Sequence, residues 1–486
     1  MTFSASDIYS LYRPSQCDRR VYLRSHGVAE AEPSEFDKLI AELGERHEQN
    51  HLGSLSEVLD LSAGTLEGRI VKTQESLENR VAVIYQGVLE TSFPGTEDRI
   101  VGIPDFIIKD ANTYFVRDCK LARHADEDNH PEILRQLELY GWLLEKTLGK
   151  PPSRLEAYLG DESIASFPYG NGDNVLQLLQ SVRRLVVMSE EPYSPVGWSK
   201  CASCGFRERC WRMAESTQDV ALVYEVDQAM AIALKEQGVT TIEQLLAHFD
   251  ENSLAEVRKR RGARMVRVGE AAKRILLQAE ALRSKQERLI APLQLPSSDN
   301  MVMFDLEGLP PQFRELDKVY LWGTQVFGTV PGEFLPALAT FGQNGDKEGW
   351  LQFLRNAGSI FIDHGDIPFV HYTSYEKTKV STYIRRYGDI DGIAGRVLRN
   401  LFDLFKPVKE SLILPESSYS LKVIEKRAGF TRTMTEFGGD WSIAQYIRAV
   451  ETQDDTLRQQ IIADILKYNE EDLKATWAVL QWLRKK

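Results

Sequence analysis

The sequence has no uninterrupted apolar run near the ~20 residues that a helical bilayer span requires, so a helix-spanning membrane protein is excluded. Cysteine is scarce, five in 486 residues. An odd, small number of thiols in a chain this long excludes a disulfide framework as the main support of the fold. The opening residues, MTFSASDIYSLYRPSQ, have neither the basic start nor the apolar core of a secretory signal, and the expected compartment is the reducing cytoplasm. No GxxxxGK[ST] stretch occurs, so an ATP-driven motor is not visible in the chain. Short-period repeats and low-complexity tracts are also missing. Positive charge is in deficit, 59 − 71 = −12, unlike the usual footprint of a nucleic-acid binder. What remains is ordinary globular composition, 43% apolar and 27% charged, with length enough for two to four domains.

Punctuation divides the chain into three segments. The first, 1–218, ends just after the cysteine-rich KCASCGFRERCW. The second, 219–295, is expected to be helical, with the turn EQGVTTIEQL between apolar-periodic stretches, loosely like a helix-hairpin-helix element. The Pro- and Ser-containing APLQLPSSDN then introduces the third, 296–486. The charge deficit hides one local excess of the opposite sign. In EVRKRRGARMVRVGEAAKR, residues 256–274, eight basic residues face two acidic ones. Such a run is either a solvated helical face or a grip on a phosphate backbone.

DRIVGIPDFIIKDANTYFVRDCKLAR reads as two strands around a short turn. If Ala111 and Asn112 form the loop, antiparallel partners have numbers summing to 223, and Asp105 falls opposite Asp118. Their β-carbons would then stand about 4.5–5.5 Å apart on one sheet face, and Lys120, two residues on, shares that face. Adjacent carboxylates repel unless a cation lies between them. Mg²⁺ or Mn²⁺ suits such an oxygen site, and a lysine beside it can position water or stabilise phosphoryl charge. HPEILRQLELYGWLLEK is an amphipathic helix with Gln136 and Tyr140 one turn apart. AELGERHEQNHL places His47 on another helix as a candidate third ligand.

The order G-x-x-H, G-I-P-D, D-x-K, Q-x-x-x-Y resembles the RecB-like branch of the PD-(D/E)XK nucleases, with an α/β, restriction-endonuclease-like core. The resemblance implies that His47, Asp105 and Asp118 bind the catalytic metal, that Lys120 is the catalytic lysine, and that Gln136 and Tyr140 support it.

Cys201, Cys204 and Cys210 form C-x2-C-x5-C, and three thiolates need a fourth ligand for tetrahedral zinc or an iron–sulfur cubane. The other cysteines are Cys17 and Cys119. Cys119 is the middle residue of D-x-K and should face away from the carboxylates as a core thiol. One early cysteine with three late ones is similar to the iron–sulfur RecB-like nucleases, including the AddB-type helicase-nucleases. This resemblance implies a [4Fe–4S] cluster on Cys17, Cys201, Cys204 and Cys210, with zinc as the alternative that spacing alone does not separate.

MVMFDLEG reads as a buried strand with Asp305 and Glu307 on one face, and IIADILKYNEEDLKATWAVLQWL as a helix with Tyr468 and Asp472 one turn apart. D-x-E followed by Y-x-x-x-D resembles the DEDD exonucleases of the RNase H-like fold, in which carboxylates hold metal ions and the tyrosine orients water. That family keeps H-N-x-x-F-D between these motifs. Here the matching stretch is HYTSYEKT, so Glu376 stands where aspartate is expected. The whole chain resembles RecB-like nucleases in which an iron–sulfur nuclease domain is fused to an RNase H-like exonuclease domain. The resemblance implies a metal-dependent nuclease acting on DNA, on single strands or free ends, with RNA as the alternative substrate and a helicase as a candidate partner. The competing reading is a nucleic-acid-binding subunit of a helicase–nuclease complex with one or both sites degenerate.

Overall fold

A computed structural model describes residues 1–13, 16–262, 264–309, 318–342, 344–434 and 438–486. The chain is α/β and forms two compact units. One comprises Met1–Ser194 and Ser199–Glu208. The other holds Pro195–Trp198 and the chain from Arg209 to Lys486, apart from the undescribed stretch 310–317. The middle segment thus belongs to the same compact unit as the C-terminal one. Among the described residues no helix is long and apolar enough to cross a membrane.

The first unit is built on a six-stranded mixed sheet, in spatial order β1 (Val58–Asp60), β2 (Val83–Tyr85), β3 (Phe106–Asp110), β4 (Thr113–Cys119), β5 (Leu155–Tyr158) and β6 (Ile164–Phe167). Helix α1 (Glu35–Ser54) begins at a capping box in which Ser34 and Asp37 satisfy each other's backbone donors. Helix α2 (Pro131–Leu148) starts with proline at its first turn and ends at Gly149, whose φ of +68° closes the helix in the left-handed region. Between β4 and its parallel neighbour β5, α2 supplies the crossover, and its Leu137, Tyr140, Leu143 and Leu144 pack into a core with Ile107, Val116 and Leu155.

In the second unit, helices Gln228–Glu236 and Ile242–His248 flank the expected turn, and Thr241 caps the later one. The basic run departs from the expected helix. It forms a hairpin of β7 (Arg258–Arg261) and β8 (Arg264–Arg267), with Gly262 entering the turn at φ +60°. The reason lies in the sequence: glycine supplies the positive φ a tight reversal needs. A five-stranded sheet follows, ordered β11 (Leu335–Leu338), β10 (Val319–Gly328), β9 (Asn300–Gly308), β12 (Phe369–His371), β13 (Leu401–Asp403). The first three strands are antiparallel and the last two join in parallel. Helix α3 (Tyr375–Tyr387) follows β12, and helix α4 (Leu421–Arg427) carries Lys422. Helix α5 (Asp455–Leu483), capped by Asp454, lays Ile465, Leu473, Val479 and Leu480 into the core.

Candidate active sites

The β3–β4 hairpin has the expected register: Phe106 pairs with Arg117, Ile107 with Val116 and Asp110 with Thr113, all summing to 223. The turn at Ala111 has φ +40°. Just beyond the last pair, the Asp105 N–H donates to Asp118 Oδ1 at 3.3 Å, and the Cys119 N–H donates to Asp105 Oδ2 at 2.7 Å. Lys120 Nζ lies 2.5 Å from Asp118 Oδ2. Gln136 Nε2 donates to the Tyr140 hydroxyl at 2.9 Å. Gly102 makes room for this helix, since a Cβ there would stand 2.5 Å from Leu143 Cδ1 and 2.8 Å from Tyr140 Cδ1.

Electrostatics mark the same cluster. Burial, then the neighbouring Asp118, pushes the Asp105 carboxyl up to about 9. Burial acts to lower the Lys120 ammonium, but Asp118 and Asp105 outweigh it and the net shift is upward, so this lysine holds its proton. Burial raises Tyr140 well above an ordinary phenol, with Asp118 adding to it. The buried Asp118, the half-buried Asp105 and the cation beside them form a donor set suited to a hard divalent ion.

His47, the expected third ligand, is buried on α1. Its Nε2 lies 3.3 Å from the Tyr158 carbonyl oxygen, and its ring stacks on Tyr158 with centroids 4.8 Å apart. His47, Asp105 and Asp118 do not bring three ligand atoms within 4.8 Å of one another. The next residue, Glu48, is the one that reaches the cluster, and sequence reasoning missed it. Its Oε1 accepts from Tyr85 Oη at 2.8 Å and from Gln86 Nε2 at 2.7 Å, and the same amide lies 3.2 Å from Asp105 Oδ1. Gln86 is held at φ +55°, a conformation that non-glycine residues adopt at a cost. Cys119 is half-buried against Val83, Tyr85 and Phe106, as a core thiol should be.

All five cysteines are free thiols. Among the described residues no three cysteine sulfurs stand within 4.8 Å of one another, the spacing a single tetrahedral ion needs. Cys17 Sγ lies 3.3 Å from the Ser194 hydroxyl, and Lys200 Nζ donates to that hydroxyl at 2.9 Å. Burial raises the Cys204 thiol, and Cys201 and Cys17 are near enough to contribute. Cys210 lies on the helix Arg207–Thr217.

In the second unit, Asp305, Glu307 and Asp472 each offer an oxygen, all within 4.8 Å of one another. Asp305 and Glu307 are two apart on β9, and Tyr468 and Asp472 one turn apart on α5, as the sequence predicts. Asp305 also accepts from Asn469 Nδ2 at 2.7 Å, a contact no motif announced. It depends on Gly323, the β10 residue opposite Asp305, because a Cβ there would stand 1.7 Å from Asn469 Oδ1. Burial, together with the mutual repulsion of the three carboxylates, raises Asp305 and Glu307 well above the usual carboxylate range. Burial raises Asp472 too, against the pull of Arg432. A triad of carboxyl groups, Glu307 and Asp472 buried and Asp305 half-buried, whose proton affinity is raised, fits a divalent metal ion that takes the proton's place.

Glu376 does not join the triad. Its Oε2 is 3.1 Å from His371 Nδ1, and both side chains are buried. The extra methylene at the start of α3 lets this carboxylate reach the histidine on β12, whereas aspartate would be shorter. Asp403 instead accepts from the N–H groups of Thr373 and Phe405, a structural cap. Two cations that sequence reasoning missed border the triad. Arg432 donates to Asp472 Oδ1 at 2.5 Å and to both oxygens of Glu425, and Lys422 faces Tyr468.

Residues 13–211 match the family model of the PD-(D/E)XK nuclease superfamily, and residues 302–484 that of the RNase H superfamily. The chain therefore carries these two nuclease-type domains in the order the motifs suggested. No curated protein matches the chain. A solved structure described as "Crystal structure of SSO0001" is 18% identical over 43% of this chain and 85% of that one, with a TM-score of 0.23.

Proposed function

We propose that this protein is a Mg²⁺- or Mn²⁺-dependent nuclease that hydrolyses phosphodiester bonds of DNA, acting on single strands or free ends, with a second, exonuclease-like site in its RNase H-like domain. The observation that carries the reading is the Asp105–Asp118–Lys120 cluster on one hairpin face. In this reading Asp105, Asp118 and His47 hold the ion, and Glu48, linked to Asp105 through the Gln86 amide, is a further candidate. Such an ion supplies charge to the scissile phosphate and acidifies the attacking water. Lys120, kept as an ammonium, stabilises charge on the phosphoryl oxygens. Gln136 and Tyr140 set the wall against which the backbone lies.

In the RNase H-like domain, Asp305, Glu307 and Asp472 are the proposed ligands and Tyr468 orients water. The basic hairpin supports contact with a phosphate backbone. Arg258, Arg260 and Arg267 share one face and are exposed. Cross-strand neighbours Arg258 and Arg267 carry like charges, which Glu256 offsets in part by pairing with Arg267 at 3.1 Å. The [4Fe–4S] proposal for Cys17, Cys201, Cys204 and Cys210 rests on the resemblance to iron–sulfur RecB-like nucleases, since their spacing suits zinc equally well. Iron and acid-labile sulfide assayed after anaerobic purification test it, and stoichiometric zinc instead would overturn it.

The Glu376–His371 pairing favours one specific alternative: an RNase H-like half that positions nucleic acid, for this chain or for a helicase partner, without cutting. Asp118→Ala should abolish one cleavage activity while leaving DNA binding intact. An unchanged cleavage rate in that variant would defeat the nuclease reading of the first site.

A further inference from the structure

In the first unit, two consecutive residues reach the same oxygen. Tyr85, the last residue of β2, donates its hydroxyl to Glu48 Oε1 at 2.8 Å, and Gln86 Nε2 donates to that oxygen at 2.7 Å. Neighbours on a regular strand point to opposite faces. Gln86 departs from that alternation through its φ of +55°. The same residue continues the β2–β3 pairing and stands opposite Asp105. Its N–H donates to the Asp105 carbonyl at 2.9 Å, and its Nε2 lies 3.2 Å from Asp105 Oδ1. One side-chain amide thus bridges an acid on α1 and an acid at the foot of the β3–β4 hairpin.

The surrounding chain over-determines this conformation, the condition under which backbone strain persists. Arg69 and Thr73 lie on the helix Leu66–Glu78 and hold the chain on either side of Gly87. Arg69 Nη2 donates to the Gln86 carbonyl at 2.7 Å, and Thr73 Oγ1 accepts from the Val88 N–H at 2.9 Å. Gly87 itself is pressed against the core, since a Cβ there would stand 3.0 Å from Ile107 Cδ1. Arg80, Gln218 and Lys285 take positive φ just after helices, and Ala111 does so in a hairpin turn. Gln86 does neither. If only the bend mattered, glycine would serve it without strain. Glutamine brings the strain together with an amide, and that amide goes to two carboxyl groups of the site. We infer that Gln86 is a positioning residue of the first site, whose amide aims Asp105 and Glu48 before a divalent ion arrives, as outer partners of metal ligands do. This deepens the proposed nuclease role of that site and rests on it for the ion.

Mn²⁺ binding reads this role without relying on turnover. The full chain carrying Asp305→Asn, which disables the second site, is titrated with Mn²⁺, and the free ion is followed by electron paramagnetic resonance. The same chain with Asp105→Asn added serves as the blank. In the Asp305→Asn background, Gln86→Leu and Gln86→Gly should each weaken Mn²⁺ binding at the first site by roughly 10–100-fold. Thermal unfolding separates the two variants. Gln86→Gly, which takes the positive φ freely, should melt at a higher temperature than Gln86→Leu, which keeps the strain. Affinity then follows the amide while stability follows the backbone, a pattern that a merely structural residue does not give. Weak binding in Gln86→Leu that recovers together with stability in Gln86→Gly would mark a structural residue and overturn the inference. Binding as tight as the parent's in both variants would overturn it too, while leaving the metal-dependent reading intact. A parent that binds no more Mn²⁺ than the blank would defeat that reading and the inference with it.

Discussion

Burial, reinforced by the neighbouring Asp118, pushes the Asp105 carboxyl up to about 9. An unfolded aspartate titrates near ~3.9, so between these values the folded protein binds more protons than the unfolded one. The sign is then fixed: this group's contribution to metal-free stability falls as pH rises through that window. A divalent ion must displace the proton, so Mn²⁺ affinity of the first site should climb by up to about tenfold per pH unit. Titration of the Asp305→Asn protein at pH 6, 7 and 8 measures it, and a flat affinity would contradict the burial of Asp105. Lys120→Met should lower kcat by roughly 10²–10³, the usual worth of one preorganised charge donor. The register placing Asp105 opposite Asp118 was legible in the sequence, because a two-residue loop fixes every pair in a hairpin. Glu48 was not, since an acid on an exposed-looking helix carries no motif until Tyr85 and Gln86 meet it. Asn469 was hidden for a similar reason: its role depends on a missing side chain at Gly323, on the neighbouring strand opposite Asp305.

At the scale of elements, the strands and long helices that carry D-x-K, D-x-E, Q-x-x-x-Y and Y-x-x-x-D formed where periodicity put them. Alternation and the helical repeat are local signals, and packing reinforces them here. The basic run was less legible. Its arginines suit a solvated helix face equally well, and only Gly262 signals a reversal. If β7 and β8 track a phosphate backbone, neutralising Arg258, Arg260 and Arg267 together should weaken binding across all sequences. It should also flatten the dependence of log K on log salt by roughly 2–3, given about 0.7–0.9 per phosphate contact. Fluorescence anisotropy with labelled single strands at several salt concentrations reads both quantities. Gly323→Ala tests a different element contact. Overpacking between β10 and Asn469 should cost about 1–3 kcal/mol, seen as a lower Tm, and should loosen Mn²⁺ binding at Asp305.

For the whole molecule, two compact units each hold a buried acidic site on their own sheet. The domain order was legible because each site combines a strand pair and a helix pair at spacings that chance seldom assembles. The surroundings of the expected ligands were less legible, because the contacts of His47 with Tyr158 and of Glu376 with His371 are set by tertiary packing. The central claim is that both sites cut phosphodiesters. It is tested most directly by end-labelled single- and double-stranded DNA and RNA incubated with Mg²⁺ or Mn²⁺ and protein purified without oxygen. Wild type, Asp118→Ala, Asp305→Ala and the double variant are compared. The account predicts that each single variant loses a different set of products and that the double variant is inert. Wild type no more active than the double variant would contradict it and leave a protein that binds nucleic acid without cutting it.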